Sequence, residues 1–241
     1  MADLRYQSSA PARGQAAEID QGLRSYMLGV YNYMALGVAA TAIITLFVAS
    51  TPALLATAVS LRWVFFIGIL GMGFLAPRMI FSSSSIAAQG AVWGYCALWG
   101  FGIAPMVGAY MAIDPGMVAR AFFIAAATFG ATSLFGYVTK RNLSGLGTFF
   151  MMAAIGVIIA MLVNALFVGS TFMSLIVSIV TVLLFSGVTA YETQMIKEMY
   201  VEGDGTAAAR SKSIFGAFML YGSFVTLFIH ILNILGIMRS E

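Results

Sequence analysis

Stretches of mostly apolar residues, about twenty long, alternate with short polar breaks along this chain, and the pattern recurs seven times. A helix rises about 1.5 Å per residue, so each run is long enough to cross roughly 30 Å of hydrocarbon. The expected spans cover 26–49, 61–76, 86–111, 117–138, 146–168, 172–193 and 213–238. Turn formers and charges fill the breaks: Ser50-Thr51-Pro52, Pro77-Arg78 with serines at 82–85, Asp114-Pro115-Gly116, the basic stretch Thr139-Lys140-Arg141-Asn142-Leu143-Ser144, and Gly169-Ser170. Pro77 lacks a backbone donor and predicts the end of the second helix, while Pro105 predicts a kink in the third. Gly90 and Gly94, in GxxxG spacing, predict close packing within the bundle rather than a dimer face. Residues 195–212 predict a charged loop with a helical start.

Residues 1–25 mix Arg5, Arg13 and Arg24 with Asp3, Glu18 and Asp20. This composition predicts a loosely ordered polar tail whose last part forms an interfacial helix. Without an apolar core beside a small-residue cleavage site, no removable signal peptide is expected. The domain reading is therefore a cytoplasmic tail over 1–25 and one seven-helix transmembrane domain over 26–241.

Composition removes the soluble alternatives. Hydrophobic residues make up 61% and charged residues 9% of the chain, with a mean hydropathy of +0.96, against about 25% charged in soluble domains. The fold class is all-α, a polytopic helix bundle in the lipid bilayer. A net charge of +3 would suggest nucleic acid in a soluble protein, but membrane proteins gather Lys and Arg in cytoplasmic loops. With the amino end inside, Arg5, Arg13, Arg24, Arg78, Lys140, Arg141, Lys197, Arg210 and Lys212 make nine inside, and Arg62, Arg120 and Arg239 make three outside, together the full twelve. That bias predicts a cytoplasmic-membrane protein with its amino terminus cytoplasmic and its carboxyl terminus outside.

Enzyme chemistry lacks parts. The sequence has no Walker loop, no HExxH and no GxSxG, and it holds a single histidine; these exclude the common kinase, metalloprotease and serine-hydrolase arrangements. Cys96 is the single cysteine and lies in an apolar run, so it reads as an inert buried thiol. No enzyme activity and no resident cofactor are expected.

One carboxylate breaks the sixth run. Glu192, in Thr189-Ala190-Tyr191-Glu192-Thr193-Gln194, is the only acid expected within the membrane. An ionisable group there faces either the protein interior, with a functional role, or the interface as a helix-end carboxylate, and position alone leaves both open. In the seventh run Ser223, Thr226, His230 and Asn233 are spaced three, four and three apart, on one helical face. They line a hydrated path or hydrogen-bond to neighbouring helices. Asn164, in the fifth run, most simply bonds a neighbouring helix.

Three stretches carry a resemblance: Gly136-Tyr137-Val138-Thr139-Lys140-Arg141-Asn142-Leu143-Ser144, the Glu192 segment, and Leu220-Tyr221 through Leu235-Gly236. With the seven-span pattern they resemble a bacterial member of the Bax inhibitor family, the transmembrane Bax inhibitor motif proteins. The resemblance implies a central seventh helix surrounded by the other six, and a pH-sensitive calcium leak with calcium as the transported ion. It further implies a two-aspartate sensor, one acid in an Asp-Thr-Gln motif on span six and one in a Leu-Tyr-Leu-Asp motif on span seven. Glu192 stands at the first position, and Leu220-Tyr221-Gly222-Ser223 puts Ser223 at the second. Two close carboxylates share a proton; a Glu facing a Ser keeps the cost of burial without that repulsion. Arg78 is the cation that the family position and the topology bring toward Glu192, and Glu192 is a weak calcium ligand by itself, because calcium prefers about six to eight oxygens. Glu192, Ser223 and Arg78 are thus the expected gate, with Thr226, His230 and Asn233 as expected pore-lining residues. The alternative is a non-conducting regulator that binds a partner such as an FtsH-type membrane protease.

Overall fold

Apolar runs in lipid must bond every backbone group internally, and helices do so within one segment. A computed structural model of the chain describes residues 11–82 and 85–239, and the side chains of 21–82 and 86–239. Its helices are α1 (Pro11–Ser50), α2 (Pro52–Ser60), α3 (Arg62–Ile80), α4 (Ser85–Ile113), α5 (Pro115–Val138), α6 (Gly147–Val163), α7 (Thr171–Glu198) and α8 (Thr206–Arg239). A short 3₁₀ turn at Ser144–Leu146 precedes α6, and a π turn at Asn164–Val168 extends it. Seven of these segments are long and apolar enough to cross a membrane, each containing most or all of one expected span, and no strand occurs among the described residues. The protein is an all-α polytopic membrane bundle.

The seventh span is central. In its most apolar stretch α8 has 67% of residues buried, against at most 28% in any other span. It packs against α7, α1, α5, α4 and α3, and Leu220, Leu227 and Leu232 are fully enclosed.

Element ends differ from the sequence expectation in several places. Residues 11–25 continue α1 as one helix instead of forming a loose segment, with Pro11 at a position where a missing donor is harmless. Residues 1–10 of the expected tail, and Ser83 and Ser84 of the serine turn, lie outside the described residues. The stretch after Pro52 forms the extra helix α2. Pro77 does not end its helix: α3 runs through it to Ile80, because near a helix end proline forfeits one backbone bond without blocking the final turn. Pro105 sits inside an uninterrupted α4. The charged connection has the expected helical start, α7 running on to Glu198, but is shorter than expected at its far side, where the alanine-rich stretch opens α8 at Thr206, alanine being the strongest helix former. A Cβ on Gly90 or Gly94 would meet nothing within 4 Å, so the GxxxG pair does not mediate close packing within the bundle.

Turn chemistry fixes the ends. Asp114 Oδ1 accepts the Gly116 amide at 2.9 Å ahead of Pro115 at the first position of α5. The same carboxylate is clasped by Arg120 and by Arg239 of α8, which ties the far end of the central helix to the α4–α5 turn. Asn164 bonds the connecting turn rather than a neighbouring helix: its Nδ2 donates to the Ser170 carbonyl at 3.1 Å and its Oδ1 accepts the Ser170 amide at 3.0 Å.

Two outcomes are expected. A Cβ on Gly136 would lie 2.2 Å from the Ala190 carbonyl oxygen, where α5 crosses α7 backbone to backbone. Gly136→Ala should therefore lower stability by about 1–3 kcal/mol, the cost of forcing packed backbones apart, and a detergent-phase melting curve identical to the native one would contradict that crossing. Hydrogen bonding from Arg120 holds the Asp114 carboxyl below its ordinary pKa. A depressed native pKa adds stability above the unfolded value and loses it as pH falls through the native one. Asp114→Asn should then melt earlier than the native chain at pH 7, with the gap closing below about pH 4.

Candidate functional site

The sixth span places its polar residues by helical repeat. Thr181, Ser186, Thr189 and Thr193 each turn the hydroxyl back onto a carbonyl four residues earlier on α7. Glu192 cannot satisfy itself in this way. Its Oε2 accepts the Ser223 hydroxyl of α8 at 2.6 Å, at the short end of hydroxyl donation. The residue expected to replace the second acid is therefore the direct partner of the first.

Both residues line a cavity of about 780 Å³ walled by α3, α4, α6, α7 and α8. Thr226 and His230 continue its polar wall, and Phe66, Trp99 and Phe185 lie among its apolar lining. Arg62 and Trp63 mark the other end of the lining along α3. Beyond Glu192, one turn further along α7, the bundle is closed: Ile196, Ile80 and Val30 are fully buried, and a Cβ on Gly216 would stand 2.9 Å from Ile196. The carboxylate thus sits at the blind end of the cavity, partly exposed to it.

The polar stripe on α8 divides. Ser223, Thr226 and His230 line the cavity, whereas Asn233 does not. Asn233 Nδ2 donates to Ser174 Oγ at 2.9 Å and to Ser178 Oγ at 2.8 Å on α7, and its Oδ1 accepts Tyr110 Oη at 3.4 Å. Asn233 is a clasp between helices. His230 Nδ1 lies 3.1 Å from Ser178 Oγ, the same oxygen that accepts Asn233 Nδ2. Thr226 donates to the Gly222 carbonyl of its own helix at 2.8 Å.

Arg78 is not brought to Glu192. It is exposed in the last turn of α3 and makes no ion pair among the described residues. Because α3 continues past Pro77, the guanidinium projects where water or headgroups solvate it, which is less costly than entry into the bundle. Nor do the described residues hold any group of three or more His, Cys, Asp or Glu suited to a metal ion. Glu192 and the Ser223 oxygen fall well short of the six to eight oxygens of a tight calcium site.

Sequence reasoning missed the residues that follow Glu192. Thr193 belongs to a chain in which Tyr31 Oη and Ser133 Oγ are 2.7 Å apart and Ser133 Oγ and Thr193 Oγ1 are 2.9 Å apart, linking α1, α5 and α7. Gln194 is buried and clamps the basic loop: its Oε1 accepts the Leu143 amide at 2.7 Å and its Nε2 donates to the Arg141 carbonyl at 2.9 Å. Lys197 donates to the Tyr137 carbonyl at 2.9 Å and lies over that ring. The available signal was the glutamine itself, an uncharged polar side chain two residues from the acid in an apolar run. Gln194→Leu should strand two backbone groups of the loop, costing about 1–3 kcal/mol each where buried, and speed amide exchange at Leu143; unchanged exchange there would remove the clamp.

Comparison with known proteins agrees with this arrangement. The family model described as "Inhibitor of apoptosis-promoting Bax1" matches residues 23–240. An uncharacterized protein of Deinococcus radiodurans is 39% identical over 224 residues, covering 92% of this chain and 94% of the relative. An uncharacterized protein of Rickettsia prowazekii is 32% identical over 98% of this chain and its own full length. "Inner membrane protein YbhL" of Escherichia coli K12 is 35% identical over 221 residues, 89% of this chain and 92% of that protein. With five of its seven spans packed around α8 and the Glu192–Ser223 contact between the last two, the chain belongs to the Bax inhibitor family.

Proposed function

We propose that this protein is a pH-sensitive, calcium-permeable leak of the cytoplasmic membrane, with the Glu192–Ser223 contact as its gate. The observation that carries the reading is the position of that contact, at the blind end of a cavity and directly before a seal of buried aliphatic side chains. The Escherichia coli relative's name supports the membrane assignment, and the Lys and Arg bias supports an orientation with the seal and the amino terminus on the cytoplasmic side. Ionised Glu192 accepts from Ser223 and draws cations toward the seal. Protonation removes the charge and adds a donor, which weakens the charge-assisted bond from Ser223 and loosens the α7–α8 contact. With one carboxylate in place, calcium passes while keeping much of its hydration and is not held tightly.

A second reading, a non-conducting regulator of a partner such as an FtsH-type membrane protease, is favoured by the same shortage of oxygen ligands and by the closed end at Ile196. Calcium flux into proteoliposomes separates the two. The leak reading expects native flux to change with pH, Glu192→Gln to flatten that profile, and Ser223→Asp to strengthen calcium dependence. Flux equal to that of empty liposomes at every pH, with a protease co-purifying, would select the regulator instead.

A further inference from the structure

The cavity does not match a small hydrated ion over most of its wall. Apart from the polar strip on α7 and α8 and the cation Arg62 at the far end from Glu192, its lining is aromatic and aliphatic, including Phe66, Phe74, Trp99, Phe185 and Phe218. Phe74 is 82% exposed while lining the cavity, so the space reaches the lipid-facing surface beside α3. At its deep end stands Glu192, which has a hydroxyl partner and no Lys, Arg or His in ion-pair contact among the described residues. A carboxylate in a largely apolar site gains most from a cation that gives up its own water cheaply. Aromatic faces favour the same kind of guest, a bulky cation with diffuse charge. The volume of about 780 Å³ falls within the usual range of about 300–1,000 Å³ for organic ligands.

We propose that this cavity is a binding site for lipophilic organic cations, which enter from the bilayer beside α3 and place their charge against Glu192. The site is independent of whether an inorganic ion is conducted, since its occupant arrives through lipid and is held by apolar walls. Bulk anions of the same shape are rejected by the carboxylate, and neutral ones gain only the wall contacts.

Tetraphenylphosphonium and tetraphenylborate share shape and differ in charge, which makes them the probe pair. With the full chain in nanodiscs, equilibrium binding of labelled tetraphenylphosphonium, corrected with empty nanodiscs, should saturate near one per chain, and tetraphenylborate should bind at least about tenfold more weakly, the scale of one lost charge contact. Glu192→Gln should weaken tetraphenylphosphonium about tenfold and leave tetraphenylborate no weaker. Gly73 lines the cavity and a Cβ there meets nothing within 4 Å, so Gly73→Trp should narrow the space and weaken binding of both probes with Glu192 untouched. Melting curves for both variants confirm that each is folded before its binding is scored. Equal binding of the two probes, binding no greater than to empty nanodiscs, or native affinity in both folded variants would overturn the proposal. Because no flux is measured, this outcome is separate from the fate of the leak reading.

Discussion

A helix at the centre of a bundle has little water or headgroup to bond, so the polar groups it carries must be met by a neighbour or by its own backbone. That constraint falls on α8 and shapes the rest of the bundle. Ser223, His230 and Asn233 all find partners on α7, at Glu192, Ser178 and Ser174. The two helices are interlocked along several turns by hydrogen bonds, while α1, α4 and α5 close around them through apolar packing and small residues such as Ala121 and Ala125. On the other side, Tyr221 Oη and Thr41 Oγ1 stand 2.7 Å apart, joining α8 to α1.

The same rule explains why Glu192 differs from its neighbours. Serines and threonines in a membrane helix can fold back on their own carbonyls, and those on α7 do so repeatedly. A carboxylate has only acceptors when ionised and finds no free donor on its own helix. It depends on another helix or on the cavity, and it receives both. The side chain that bonds it is held deep in the bundle, and the space beside it is walled mostly by aromatic and aliphatic side chains, with Arg62 at the far end.

Much of this was legible in sequence because it depends on short-range pattern. Seven apolar runs gave seven spans, and of the residues spaced three, four and three on α8, Ser223, Thr226 and His230 line one cavity while Asn233 clasps α7 and Tyr110 instead. The pairing of Ser223 with Glu192 followed from aligning two motifs, a relation that apolar periodicity does not contain. What escaped was set by quantities that no local pattern records. The ends of α3 and α8 depend on how far backbone bonding outlasts Pro77 or gains from the alanines after Gly205. Arg78 and the Gly90–Gly94 pair were misplaced because the rotation of a helix about its own axis, hence which face it turns inward, is fixed by neighbours distant in sequence. Gln194 was overlooked because its partners are backbone groups of a loop more than fifty residues earlier.

The solitary thiol has a practical meaning. Cys96 is 1% exposed, packed where a Cβ on Gly37 would lie 3.3 Å from its sulfur, so a bulky maleimide has no route to it in the folded chain. The native protein therefore already serves as a silent background for site-directed labelling. A cysteine introduced anywhere from Trp63 to Glu192 along the cavity would be the single reactive sulfur, and its rate of modification from water or from lipid would map, residue by residue, how far each solvent reaches.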